Sequence, residues 1–127
     1  MAGRPAHVLV AEDNALVAGA MRLLFEESGF RVTICASVAA TVSAAASDPV
    51  DVLLLDLGLP DGDGLLVLAE LRTRGALPRV TVALTGRDEP EVARRCVDAG
   101  CAAVLVKPVP ARELVARVQE WAESARD

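Results

Sequence analysis

The sequence is poor in aromatic residues: its 127 residues include two Phe, one Trp and no Tyr. A hydrophobic core must therefore be built mainly from the Val, Leu and Ala within its 53% apolar content. Basic residues are scattered, since the longest run is Arg94-Arg95, and the formal net charge is −5. Because a basic surface supplies most of the affinity of proteins for nucleic acids, we expect no direct nucleic-acid binding.

Long apolar stretches are also missing. None approaches the roughly 20 apolar residues of a membrane-spanning helix, and the N-terminal segment lacks the apolar centre of a signal peptide. We therefore expect no membrane insertion. The three cysteines, Cys35, Cys96 and Cys101, form no C-x-x-C pair. An odd number of cysteines without metal-ligand spacing favours a cytoplasmic protein that uses them as small hydrophobic residues in or near its core.

Short apolar runs alternate with helical patterns along the whole chain. The apolar runs predict strands over residues 7–11, 31–35, 50–55, 80–84 and 103–106. Helices are expected from Asn14 to Gly29, over 37–47 and 65–74, from a capping box of Asp88 and Glu91 to Gly100, and from about Pro110 onwards. No repeat or low-complexity tract interrupts this order, which predicts one domain over residues 1–127 with its core at about 7–125.

Five βα units in series predict an α/β fold, a doubly wound five-stranded parallel sheet of order 2-1-3-4-5 with five helices. Ligands of such sheets bind beyond the carboxyl ends of the strands, where the winding reverses. Polar residues stand at four of these ends: Glu12 and Asp13, Asp56, Thr85, and Lys107. In the predicted order these four ends lie side by side.

Each of these polar residues has an ordinary explanation when taken alone. An acid after a strand often caps a helix, and a threonine often bonds its own turn. Three neighbouring carboxylates, however, repel one another by roughly 4 kcal/mol per pair at an effective dielectric near 20, so their grouping favours a bound cation. Mg²⁺ prefers carboxylate, phosphate and water oxygens, which makes a phosphoryl site a natural interpretation.

Four segments, LVAEDN, VLLLDLGLPDGDG, VALTG and VLVKPV, resemble the receiver domains of two-component response regulators. The resemblance extends over about residues 7–125 and implies a flavodoxin-like fold. It also implies a cytoplasmic phosphoacceptor module rather than a true enzyme, with slow self-phosphorylation and self-dephosphorylation. A histidine kinase or a histidine phosphotransfer protein would supply the phosphoryl group, and a downstream protein target would read it.

The resemblance assigns roles to individual residues around the expected magnesium ion. Asp56 would be the nucleophile that takes the phosphoryl group and becomes an acyl phosphate. Asp13, Asp56 and the backbone carbonyl of Gly58 would bind Mg²⁺ directly. Glu12 would act mostly through bound water.

The remaining roles concern phosphoryl binding and signal readout. Lys107 would pair with one phosphoryl oxygen, and Thr85 would donate a hydrogen bond to another. The Lys107-Pro108 peptide bond is expected to be cis. Many receivers carry an aromatic switch residue where this chain has Val104. A valine can repack but cannot make the usual large inward rotation that is coupled to Thr85.

Several alternatives remain open at this point. The chain could be a stand-alone regulator or the receiver of a hybrid histidine kinase, and it could be a monomer or a weak dimer. It could instead be a receiver-like interaction module that works without phosphorylation. A hydrolase of the aspartyl-nucleophile type is disfavoured, because Gly58 stands where a second aspartate would be needed. The acids Asp61, Asp63 and Glu70 also imitate a calcium-binding loop, but its first ligand position is Leu59.

Overall fold

The computed structural model describes residues 4–126; Met1–Gly3 and Asp127, which belong to the domain expected from the sequence, lie outside this range. The described residues form seven strands: β1 (His7–Ala11), β2 (Arg31–Cys35), β3 (Val52–Asp56), β4 (Gly58–Leu59), β5 (Gly62–Asp63), β6 (Val80–Thr85) and β7 (Ala103–Val106). The same part of the chain forms five helices: α1 (Ala15–Glu27), α2 (Val38–Ser47), α3 (Leu66–Arg74), α4 (Pro90–Ala99) and α5 (Ala111–Arg126). No helix within residues 4–126 is long and apolar enough to cross a membrane.

Five of the strands form one parallel sheet in the order β2-β1-β3-β6-β7. Counting only these five, the order is 2-1-3-4-5, so the predicted fold is confirmed. β1 lies in register between β2 and β3, with Val8 opposite both Val32 and Val52. The remaining strands, β4 and β5, pair antiparallel as a small separate hairpin directly after β3.

Strands β1 and β3 are buried along their whole length, as continuous apolar runs in a parallel sheet require. Alternate residues of β1 and β3 pack into two separate hydrophobic cores, one on each face of the sheet. On one face Val10 and Leu54 pack with Phe25 of α1 and Val118 of α5. The opposite face packs against α2, α3 and α4, where it includes the buried thiol of Cys96.

All three cysteines are buried free thiols, which confirms their expected place in the core. Burial raises the pKa of the Cys35 and Cys96 thiols. The pKa of Cys101 rises to about 12, first because of burial and then because the Cys96 thiol lies beside it.

Local signals placed most helix ends correctly. The Asn14 side chain accepts hydrogen bonds from the amides of Leu16 (3.0 Å) and Val17 (3.1 Å) at the start of α1. Glycines in the left-handed conformation, Gly75 and Gly100, end α3 and α4.

Several local predictions differ from the structure. The third and fourth predicted strands each end one residue later than expected, at Asp56 and Thr85. The third strand begins at Val52 rather than at residue 50. The capping box of Asp88 and Glu91 is wrong, because α4 begins at Pro90 with Glu89 as its N-cap, and no described side chain caps it. Proline suits the first helical position, since its ring presets φ and it has no N–H to satisfy, and this moves the box out of register by one residue.

Candidate functional site

The carboxyl ends of β1, β3, β6 and β7 lie next to one another at one edge of the sheet. Carboxylate oxygens of Glu12, Asp13 and Asp56 come within 4.8 Å of one another there. Within residues 4–126 this is the only group of three acidic, histidine or cysteine side chains close enough to share a metal ion. The sequence-predicted acids are therefore brought together by the topology of the sheet.

Asp56, the last residue of β3, is held by one contact on each carboxylate oxygen. The backbone N–H of Gly58 donates to Oδ1 at 2.9 Å, and the Lys107 ammonium donates to Oδ2 at 3.0 Å. The side chain is 11% exposed, so it lies at the floor of the site but is open to a small ligand.

Glu12 is buried more deeply, with 3% of its side chain exposed. One oxygen accepts the backbone N–H of Asn14 at 3.0 Å, and the other contacts the Lys107 ammonium at 3.4 Å. Burial raises the pKa of Glu12, and the nearby Asp56 charge adds to this rise, while the Asn14 amide and Lys107 oppose it. A cation close to Glu12 therefore favours its ionised form.

Lys107, which follows β7, is the one side-chain cation that contacts these carboxylates among the described residues. Burial lowers the pKa of Lys107, but the hydrogen bond and charge of Asp56, together with Glu12, outweigh burial, and the pKa is raised overall. The side chain therefore stays an ammonium ion. The Lys107-Pro108 peptide bond is cis.

The donor set fits a magnesium ion. With all three carboxylates ionised, the single charge of Lys107 leaves two negative charges uncompensated in a partly buried site. The groups that converge are oxygen ligands, with no thiol or imidazole among them, and this is the chemistry that Mg²⁺ prefers. A divalent cation would neutralise the remaining charge.

Thr85 ends β6 beside Asp56. Its hydroxyl oxygen accepts the backbone N–H of Arg87 at 3.0 Å, and its carbonyl accepts the backbone N–H of Lys107 at 2.7 Å. A hydroxyl that accepts one hydrogen bond can still donate its own hydrogen to a ligand. Val104, opposite Ala83 in the sheet, is half-buried and packs against the core on the α4 side.

A cavity of about 440 Å³ opens beside Asp56. Thr85 and Gly58 line it, and the guanidinium-bearing residues Arg87 and Arg95 stand at its exposed side. This cavity beside Asp56 is large enough for a small ligand.

The sequence did not predict the hairpin of β4 and β5. It also did not predict the contacts made by Asp61 and Asp63 in this hairpin and by Glu70 in α3. The Asp61 carboxylate accepts backbone N–H groups from α2, while Asp63 pairs with Arg95 of α4, and Glu70 pairs with Arg74. Because these acids serve three separate contacts, they form no calcium-binding loop. The aspartate-rich loop directly after Asp56 was the sequence signal for these contacts. The residues that bind Asp61 and Asp63 lie far away in the sequence, so the signal does not identify them.

The fold is a doubly wound α/β domain with an acidic site at the carboxyl ends of its strands, and comparison with known proteins identifies the family. Residues 8–119 match the family described as "Response regulator receiver domain". The chain therefore belongs to the response regulator receiver domains, and the resemblance seen in the sequence is confirmed.

Curated relatives include both transcriptional regulators and a sensory protein. The TorCAD operon transcriptional regulatory protein TorR of Escherichia coli O157:H7 is 32% identical over 115 residues, which are 91% of this chain and 49% of TorR. The sensory/regulatory protein RpfC of Xanthomonas campestris pv. campestris is 31% identical over 126 residues, 97% of this chain and 17% of RpfC. The chain thus spans about half the length of TorR, and less of RpfC.

Solved receiver structures share the fold. The receiver domain of sensor histidine kinase PA1611 from Pseudomonas aeruginosa PAO1 superposes with a TM-score of 0.83 at 28% identity, covering 94% of this chain and 98% of that one. That structure was determined with a magnesium ion coordinated in its active-site cleft.

Proposed function

We propose that this receiver domain is a phosphoacceptor in which Asp56 takes a phosphoryl group from a phosphohistidine in a magnesium-dependent reaction. The observation that carries the proposal is the contact of Lys107 with both Asp56 and Glu12 inside a cluster of three carboxylates. A structural role alone does not account for so much like charge in one place, because Glu12 and Asp56 are buried and a buried carboxylate is costly without compensation.

In the proposed transfer an oxygen of Asp56 attacks phosphorus, a new O–P bond forms, and the P–N bond to the donor histidine breaks. The electron pair of that bond returns to the imidazole nitrogen, which can then take up a proton. Lys107 would exchange its contact with Asp56 Oδ2 for one with a phosphoryl oxygen, and Thr85 would donate its hydroxyl hydrogen to another.

Glu12, Asp13, Asp56 and the backbone carbonyl of Gly58 would hold the magnesium ion. When bound, the ion would neutralise the negative charge that the carboxylates and the phosphoryl oxygens share. The magnesium-bearing receiver of PA1611 supports this assignment by similarity.

The proposed partners follow from this chemistry. A histidine kinase or histidine phosphotransfer protein would donate the phosphoryl group, and a downstream protein would recognise the phosphorylated form, with the domain acting as a cytoplasmic monomer or weak dimer. The readout would involve Thr85 and the segment that follows it. Val104 would repack rather than swing as a large aromatic ring does, since it is a small branched side chain already packed against the core.

The test is phosphorylation by acetyl phosphate in the presence of Mg²⁺, followed by intact-mass measurement. We expect the mass to rise by one phosphoryl group, and we expect Asp56→Asn or chelation of magnesium to abolish the gain. Asp48→Asn is the matched control, because it removes an exposed aspartate at the other end of the sheet. A wild-type protein that stays unlabelled, and whose spectrum does not respond to beryllofluoride, would instead be an interaction module that works without phosphorylation.

A further inference from the structure

The hairpin of β4 and β5 is attached directly to the phosphoacceptor strand. Gly58, whose N–H bonds Asp56, pairs with Asp63 across the hairpin. The N–H of Gly64 donates to the carbonyl of Leu57 at 3.0 Å and closes the loop behind it. A displacement of the hairpin therefore displaces Gly58, which the proposed function assigns as a magnesium ligand.

One side of the hairpin is tied to α2. Asp61, at the turn, uses its two oxygens to accept the backbone N–H groups of Val38 (2.7 Å) and Ala39 (3.0 Å). These are among the first N–H groups of the helix, which have no partner within it. They lower the pKa of Asp61, so the carboxylate is ionised when the contact forms.

The other side of the hairpin is tied to α4. One oxygen of Asp63 accepts the backbone N–H of Leu65 at 2.9 Å, and the other forms an ion pair with the guanidinium of Arg95. Arg95 comes from a helix 32 positions further along the chain and lines the same cleft as Asp56. Two carboxylates thus hold the hairpin between two helices on either side of it.

We propose that Asp61, Asp63 and Arg95 are positioning residues for the magnesium site, acting through Gly58; this inference rests on the proposed function. Magnesium demands near-ideal octahedral geometry, so a ligand segment that is already held in place loses less freedom when the ion binds. Neither acid belongs to the carboxylate cluster itself, so the effect passes through the hairpin backbone.

Arg95→Ala separates positioning from electrostatics, because the two predict opposite signs. Removing a positive charge near a cation site strengthens magnesium binding if charge alone matters. Loss of the Asp63 contact weakens binding if the hairpin must be held, by about two- to fivefold for an exposed ion pair. Arg94→Ala is the matched control, since it removes the same charge one residue away and, within the described residues, Arg94 forms no ion pair.

The measurement is a magnesium titration followed by the NMR amide signal of Gly58, for the wild type, Arg94→Ala, Arg95→Ala and Arg95→Lys. We expect weaker binding in Arg95→Ala, unchanged or tighter binding in Arg94→Ala, and partial recovery in Arg95→Lys. In an Asp63→Asn background, Arg95→Ala should cause no further weakening of magnesium binding.

Two failures are distinguishable in this experiment. If the wild type shows no saturable response to Mg²⁺, the proposed function is wrong. If the wild type binds but Arg95→Ala binds as tightly as Arg94→Ala, or more tightly, the proposed function stands and the positioning role is overturned.

Discussion

Among the described glycines, Gly64 leaves the least room for a Cβ atom. A Cβ atom added there would lie 2.4 Å from the carbonyl oxygen of Asp56 and 3.0 Å from the Cα of Leu57. Both are backbone atoms of the phosphoacceptor segment, and they cannot rotate out of the way as a side chain does. Gly64→Ala must therefore push the hairpin and the end of β3 apart by about 1 Å to reach an ordinary contact distance.

The expected cost follows from the packing around this contact. Forcing one extra carbon into a close-packed region costs about 1–3 kcal/mol. The displacement also weakens the Gly64–Leu57 hydrogen bond, which is 3.0 Å long in the native protein. With a urea m-value of about 1–3 kcal/mol per molar, the unfolding midpoint should fall by about 1 M.

Gly19→Ala is the control with the opposite sign. Gly19 lies inside α1, and a Cβ there would meet nothing within 4 Å. Alanine is favoured over glycine in a helix by about 0.5–1 kcal/mol, so the midpoint should rise. A Gly64→Ala protein with the wild-type midpoint, or a Gly19→Ala protein that is less stable than the wild type, would refute the steric reasoning.

Two further results are expected. Asp61→Ala should destabilise the domain at neutral pH, because two N–H groups of α2 lose their acceptor. The pKa of Asp61 is lowered in the folded state by these N–H groups. The stability that the ionised carboxylate contributes is therefore present above the unfolded pKa of about 3.9 and is lost as the pH falls through the folded pKa. Urea titrations of both proteins at several pH values measure this, and a difference that grows in acid would contradict it. All three cysteines should resist a thiol reagent in the native protein at neutral pH and react once it is unfolded, because the pKa of Cys101 is raised to about 12 and the pKa values of Cys35 and Cys96 are also raised. A thiol that reacts equally fast in both states would show that the buried arrangement is wrong.

The secondary structure and the sheet order could be predicted from the sequence because each depends on local signals. Apolar runs of strand length alternate with helical periodicity, and right-handed crossovers leave few ways to join five such units. The predicted and observed bounds of the first, second and last strands of the sheet are the same. The capping box failed for an equally local reason, because Pro90 takes the first helical position.

The hairpin contacts could not be predicted in this way. Two-residue strands such as Gly58–Leu59 are too short to show any periodicity. Asp61 finds its partners in α2, more than twenty positions earlier, and Asp63 finds Arg95 in α4. No spacing rule connects such residues, because their proximity results from packing both helices on the same side of the sheet.

The order of the elements, the sheet topology and the position of each candidate site residue at the end of a strand follow from the sequence, since parallel strands bring their carboxyl ends to one edge. Which charges contact one another depends on the packed structure. It placed Lys107 between Asp56 and Glu12 and raised the pKa of Glu12 by burial. Burial and ion pairing depend on distances between residues far apart in the chain, and these distances exist only once the helices have packed on the sheet.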